Sequence, residues 1–388
     1  MKKTNTSTKS VYARDGVDID NESDFSSAAG QVCKSSYKNS RFVTVHDMSQ
    51  GSFRGPRPFS LKNLPKGYVT EVSSDGIGTK GILIDAAQSH EHAAYDLVAM
   101  VSSDITRYGG VPLILANILD LAAVGAPGSD VSNQYRLLLK GLGRAAKHIG
   151  IVVLKGETAQ MGVAISSEIP GSPTRFNWSA VMVGAYHPKK MITGKTLQAG
   201  QVIVALKENG FRSNGISSVR AAFRKQYGNL WWENPAAQSD IRAAATPSVL
   251  YDAYLTHVHG WFSKQYKPLV RMHAIAHLSG GGIKEKLGAD ILFKQELSAE
   301  FDNLFMPPLI MRQCKAWRGM SDSEFYTAWN GGQGMLIVVN EKDAKRMCTL
   351  AKKFGITAQV AGRITKEKVP QISIKTPWGT RVVYTSNH

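Results

Sequence analysis

The chain has 388 residues, 43% of them hydrophobic and 20% charged, with a formal net charge of +17. Such a length predicts two domains, each large enough to bury its own core, and such a composition excludes a disordered or fibrous protein. No apolar run is long enough to span a bilayer, no apolar segment follows Met1-Lys2-Lys3 as in a secretory signal, and Cys33, Cys314 and Cys348 lack metal-ligand spacing. Free thiols in a reducing cytoplasm are the expectation.

In chain order, residues 1–42 are polar and rich in Ser, Lys and Asn, which predicts a basic N-terminal arm, only partly ordered. Gly51 to Gly67 is a loop by its glycines and prolines. Tyr68-Val69-Thr70-Glu71-Val72 reads as a strand leading into Ser73-Ser74-Asp75-Gly76-Ile77-Gly78-Thr79-Lys80. From Glu91 to Tyr108 apolar residues recur at helical spacing, placing Asp96 and Asp104 about two turns apart on nearly one face. Pro112 to Leu119 reads as a buried strand and Ser132 to His148 as a helix. Ile151-Val152-Val153-Leu154 is a strand ending at Gly156-Glu157-Thr158, and Asn177 to Tyr186 is another.

Pro188 opens a connector, so the domains are drawn as 43–187 and 188–388. The second starts with the strand Val202-Ile203-Val204-Ala205-Leu206 and passes Ser279-Gly280-Gly281-Gly282 into a helix near Ile283. A strand Met335 to Val339 and a helix Glu341 to Phe354 follow. Strands and helices mix in both halves, so the class is α/β (α+β). The basic residues are dispersed, from Lys34, Lys38 and Arg41 to Lys342, Lys345, Arg346, Lys352 and Lys353. With no nucleic-acid module in view, a solvated basic surface is favoured over a nucleic-acid partner.

The Asp75 segment sets a carboxylate ahead of flexible glycines, a hydroxyl and an amine, an order that suits a phosphate and its metal. It is not the longer Walker loop, and an ordinary turn is the competing reading. Asp75 and Asp104 are the candidate Mg²⁺ ligands, while Asp96 is read as a structural partner. Gly76, Gly78 and Thr79 are candidates for nucleotide contacts, and Lys80 is either a phosphate cation or a surface lysine. Glu157, after Gly156 at a strand end, is a candidate to bind metal or polarise an amine, against a helix-cap acid. Asn214 in Ser213-Asn214-Gly215 is either a nucleotide ligand or a turn residue. His277 precedes the triple glycine Gly280-Gly281-Gly282, whose amides can form an anion site that a histidine can complete. His273 is read as structural.

Taken together, these motifs resemble, in order and spacing, the aminoimidazole ribonucleotide synthetase (phosphoribosylformylglycinamidine cyclo-ligase) family. The stretch from Tyr12 to Asp20, Asp96-Leu97-Val98-Ala99-Met100, Gly156-Glu157-Thr158-Ala159, His273-Ala274-Ile275-Ala276-His277-Leu278 and Asn330-Gly331-Gly332-Gln333-Gly334-Met335 also carry the resemblance, which spans most of the chain. It implies an N-terminal domain whose sheet pairs across a homodimer and a second domain with its own sheet. It also implies ATP and Mg²⁺ as cofactors, K⁺ as a further candidate, and formylglycinamidine ribonucleotide as substrate. Other ATP-using members of the superfamily, and a non-catalytic nucleotide-binding protein, are the alternatives.

Three departures stand out. Gln50 to Phe59 carries prolines and arginines where the family has a dense glycine/phenylalanine loop. Arg212 replaces the family's histidine before Ser-Asn-Gly, and Gln160 replaces its second glutamate after Gly-Glu-Thr-Ala. Ser103 also stands before Asp104 where asparagine is usual, and Gly331 takes a cysteine position.

Overall fold

The structure is a computed structural model that describes residues 19–50 and 55–386. Most of the Tyr12–Asp20 stretch and part of the altered loop at 50–59 therefore lie outside the described residues. Among the described residues, thirteen strands run in chain order: β1 (Val43–Val45), β2 (Phe59–Leu61), β3 (Val69–Gly76), β4 (Val111–Leu121), β5 (Val152–Gln160), β6 (Phe176–Tyr186), β7 (Val202–Lys207), β8 (Met272–His277), β9 (Ser298–Phe301), β10 (Gln333–Val339), β11 (Ala358–Thr365), β12 (Gln371–Lys375) and β13 (Arg381–Thr385). Apart from a β1–β2 ribbon they form two sheets.

The first sheet has the order β3-β6-β4-β5. Its β4–β5 pair is parallel, so the chain must cross over between them, and the amphipathic helix Asp130–Ile149 makes that crossing. Ser129 caps that helix by accepting from the Ser132 N–H, and Gly150 ends it at φ 76°. This helix and the helix Ala93–Thr106 cover one face of the sheet, closing a core with Trp178, Met182, Leu115 and Tyr135. The other face is covered at one end by a cluster with Phe42, Val43 and Trp261 and is exposed elsewhere, with Val72, Ile118 and Val181 at 63%, 52% and 38% exposure.

The second sheet has the order β13-β12-β9-β11-β7-β10-β8. Every residue of β8 and β10 is buried, because helices cover this sheet on both faces. Leu336 and Val338 face a core with Phe223 and Trp231, while Met335 and Ile337 face another with Tyr254 and Met347.

One expectation needs correcting. Part of the supposed arm is a helix, Ile19–Ser36, docked on the first sheet. Phe25 is fully buried, the Val153 N–H donates to Ser36 Oγ at 2.8 Å, and Arg136 pairs with Asp24. The few apolar residues of the segment fall at helical spacing (Phe25, Ala28, Ala29, Val32), enough for docking despite the polar composition.

The two halves share a polar seam. Lys80 Nζ donates to the Thr246 carbonyl and Trp261 Nε1 to that of Gly109, while Thr106 Oγ1 donates to Asp252. Glu168, in the divergent stretch after β5, accepts from Arg224 and Trp231 and faces Arg220. No helix among the described residues is long and apolar enough to cross a membrane.

Candidate functional site

Four of the predicted side chains and the triple glycine meet between the two halves. Asp75 lies near the end of β3, where its Oδ1 accepts from the Gly76 N–H at 2.7 Å. Partial burial, with the charge of Asp104 nearby, holds the Asp75 carboxyl above its ordinary pKa. Asp104 comes from the Ala93–Thr106 helix, which packs against β3. Its Oδ1 lies 3.2 Å from Arg107 Nε and 3.9 Å from His277 Nδ1. Burial works to raise the Asp104 pKa, but His277 and Arg107 outweigh it and hold the carboxyl below its usual range. His277 ends β8, so the second sheet delivers it to a carboxylate of the first half.

The glycines after His277 are required by geometry. Gly281 and Gly282 have φ of 87° and 58°, and a Cβ on Gly282 would stand 1.9 Å from the Tyr326 carbonyl oxygen. Asn214 Oδ1 lies 3.6 Å from where a Gly280 Cβ would be, and its Nδ2 lies 3.7 Å from Met100 Sδ, one turn before Asp104. The helical segment entered from this loop, Lys284–Leu292, is wound as a π-helix.

Beneath this cluster is a charged network that the sequence reading did not assemble. Arg212 and Glu208 are fully buried and pair at 2.8 Å. Glu208 is further held by the Asn209 N–H at 2.9 Å and the Tyr251 hydroxyl at 3.2 Å. Burial works against the Arg212 charge, but Glu208 and Tyr251 more than offset it and keep the guanidinium pKa above its usual value. Arg212 Nη2 lies 3.1 Å from His277 Nε2. Burial, then the charge of Arg212, lowers the His277 pKa to about 4, so the imidazole is neutral near pH 7. The one local signal was the Glu208–Arg212 spacing, suited to an ion pair; the partners Tyr251 and His277 are distant in sequence.

Other predicted residues fall elsewhere. Lys80, expected on a phosphate or at the surface, is fully buried, with Nζ 2.7 Å from both Asp96 Oδ1 and the Thr246 carbonyl. Asp96 is thus the structural partner expected of it. Asp96 and Asp104 do not share a face, since eight residues at 3.6 per turn leave about 80° between them. Gly156-Glu157-Thr158 does not end a strand, because β5 continues to Gln160. Glu157 pairs in register with Ile118, three strands from Asp75, and is among the residues lining a cavity of about 540 Å³ beside the Ile19–Ser36 helix. Arg57, Asn117 and Leu139 also line that cavity. Gly78 has φ 55° with open space around it, Gly76 is paired with Ser179 in the sheet, and Thr79 precedes the helix Lys80–Ala86 without a side-chain cap bond. His273 bonds Thr196 Oγ1 at 2.8 Å, as a structural residue would.

Residues 61–184 match the family described as AIR synthase related protein, N-terminal domain, and residues 198–375 match its C-terminal domain. The phosphoribosylformylglycinamidine cyclo-ligase of Nitrosococcus oceani is 29% identical over 308 residues, which cover 79% of this chain and 78% of that protein. The protein of the same name from Methanobrevibacter smithii is 26% identical over 382 residues, covering 96% of this chain and 99% of that one. Among solved structures, the hydrogenase maturation protein HypE in complex with ATP superposes with a TM-score of 0.52 at 14% identity, over 84% of this chain and 86% of that chain. That likeness is one of fold.

Proposed function

Because the chain belongs to the AIR synthase related family, carrying both its N-terminal and C-terminal domains, we propose that it is an ATP-dependent cyclo-ligase. Its reaction is the closure of formylglycinamidine ribonucleotide to aminoimidazole ribonucleotide in purine biosynthesis. The observation that carries this reading is the convergence of Asp75, Asp104, Asn214, His277 and Gly280 to Gly282 between the halves.

In this reading ATP phosphorylates the substrate's amide oxygen, converting a poor leaving group into a good one. The substrate's own amidine nitrogen attacks the same carbon, the C–O bond breaks, and phosphate departs with ADP as the other product. Holding both ends of one substrate in a cleft makes the closure unimolecular, worth several kcal/mol of barrier (roughly 7–11 at most). Asp75 and Asp104 are assigned to a Mg²⁺ on the triphosphate, where the ion would neutralise developing charge. The donor set fits. Among the described residues no group of three or more His, Cys, Asp or Glu could hold a metal alone, and Mg²⁺ commonly takes one or two carboxylates and completes its shell with phosphate and water.

Backbone amides of Gly78 and of Gly280 to Gly282 are assigned to phosphate oxygens, with Gly76, Thr79 and Asn214 at the nucleotide. His277 stands beside the Asp104 carboxylate, where an N–H can meet a substrate or phosphate oxygen. Glu157 enters through a second copy. The exposed apolar face formed by Val72, Ile118 and Val181, where register sets Glu157 beside Ile118, supports a homodimer paired along the first sheet. The domain division is placed at 187/188, between the ends of β6 and β7. The cytoplasm is the proposed compartment.

The test is phosphate release from Mg·ATP with and without formylglycinamidine ribonucleotide, with Asp75→Ala as control. Substrate-dependent release that vanishes in the control, together with aminoimidazole ribonucleotide, is the expected result. Nucleotide binding without substrate-stimulated release would overturn the cyclo-ligase and leave an inactive relative.

A further inference from the structure

We propose that Arg212 is a positioning residue that fixes which nitrogen of His277 carries the proton, so that His277 meets the cleft as a hydrogen-bond donor and not as a base. The argument begins with the inventory of donors. A guanidinium has only N–H groups to offer and keeps its proton under all ordinary conditions, whereas a neutral imidazole has one donor and one acceptor. Arg212 Nη2 lies 3.1 Å from His277 Nε2, so Nε2 must be the acceptor. The proton is left on Nδ1, which faces the Asp104 carboxylate at 3.9 Å. At that separation the N–H points toward the carboxylate without a direct hydrogen bond, free to serve an oxygen of a ligand placed between or beside them.

Arg212 has no room to turn away. Nη1 is held by Glu208 at 2.8 Å and reaches the Val249 carbonyl at 3.3 Å. Nη2 also lies 3.5 Å from the Ala99 carbonyl and from Ser103 Oγ, and the guanidinium carbon lies 5.7 Å from the centre of the Tyr251 ring. The backbone is equally constrained: Arg212 has φ 56°, a region side chains other than glycine rarely enter and keep only when their surroundings demand it. A histidine at position 212 could present either a donor or an acceptor to His277. An arginine presents donors alone, so the substitution converts a two-way contact into a one-way one.

The proposal rests on the cyclo-ligase reading only for what the Nδ1–H does in turnover; the proton's position is a property of the protein by itself. The experiment is ¹⁵N NMR of the full chain labelled at histidine, at neutral pH, with His277→Gln to assign the resonances. Expected is a protonated Nδ1 and an unprotonated Nε2 on His277. Protonation of Nε2 in the wild-type chain would overturn the proposal. In Arg212→Met/Glu208→Gln, which removes both buried charges together, the proton should move partly or wholly to Nε2. An unchanged Nδ1–H there would also overturn the assignment to Arg212, and if that variant fails to fold, the wild-type spectrum still decides. In the folded variant kcat should fall about 10- to 100-fold, the usual cost of losing an orienting partner, with the KM for ATP little changed. Absence of turnover in the wild-type chain would sink the cyclo-ligase reading and leave the spectrum as it stands.

Discussion

Lys80 Nζ lies 2.7 Å from Asp96 Oδ1, and neither side chain reaches solvent. The same amine donates to the Thr246 carbonyl, while the same carboxylate oxygen accepts from the Ser248 N–H at 3.1 Å and the Ser248 hydroxyl at 2.5 Å. One ion pair thus gathers a motif loop, the Ala93–Thr106 helix and a loop of the second half. Desolvating two charges offsets much of their attraction, so the pair adds little net stability, but removing one partner strands the other. Lys80→Met should therefore lower unfolding free energy by about 3–5 kcal/mol. Adding Asp96→Leu should recover part of the loss, less whatever the Ser248 contacts contribute. Urea unfolding of both variants checks this. A Lys80→Met chain of normal stability that loses only nucleotide affinity would restore Lys80 to the phosphate.

The loop after His277 gives a second prediction. In Gly282→Ala the new methyl would collide with the Tyr326 carbonyl in a backbone region alanine disfavours. A stability loss of at least about 2 kcal/mol is expected, with weakened Mg·ATP binding at temperatures where the variant stays folded. Gly379→Ala, at φ 96° with open space around it, carries the backbone strain without the collision and serves as the control.

Asp104→Asn keeps the shape of the side chain and removes its charge. Titration calorimetry should show at least about a tenfold weaker affinity for Mg·ATP, roughly 1.4 kcal/mol, with metal-free ATP affected far less. Equal losses with and without Mg²⁺ would take the metal away from Asp104.

A fourth prediction concerns acid. Burial, then the charge of Lys190, lowers the His259 pKa from 6.5 to about 4. Below pH 6.5 the unfolded chain takes up a proton at this site that the folded chain refuses, so stability falls as the pH drops toward 4. Above 6.5 the two states bind alike and the contribution is fully present. The fall amounts to roughly 3 kcal/mol over that window, and His277 adds a similar one. His259→Phe should remove about half of the combined loss. Thermal unfolding followed from pH 7 to pH 4 measures it; an unchanged slope in the variant would assign the acid sensitivity elsewhere.

Much of the architecture was legible because its signals are local. The runs at Val202 to Leu206 and Met335 to Val339 are apolar throughout, and the structure buries every residue of them. The loop Ser279-Gly280-Gly281-Gly282 leading into a helix near Ile283 was legible too, but the close approach of the Tyr326 carbonyl to Gly282 was not. What could not be read depended on partners far along the chain. A lysine after Gly-Thr looks the same on a phosphate or in a core, and Thr246, 166 residues away, helps place Lys80 in the core. Glu157 was put at a strand end because the apolar run stops at Leu154, yet parallel pairing with β4 carries β5 on to Gln160. Arg212 was noted only as standing where the family has a histidine, since nothing nearby told that Glu208, Tyr251 and His277 would enclose it.

The polar seam between the halves has a consequence for how the molecule is built. Lys80 with Thr246, Glu168 with Arg220 and Arg224, Thr106 with Asp252 and Trp261 with Gly109 all join residues on opposite sides of the stretch between β6 and β7. That tether contributes none of these bonds and adds a bond of its own, from the Ile192 N–H to the Tyr108 carbonyl at 2.9 Å. Two separately translated fragments, parted within 193–201, would therefore still carry these docking instructions of the single polypeptide.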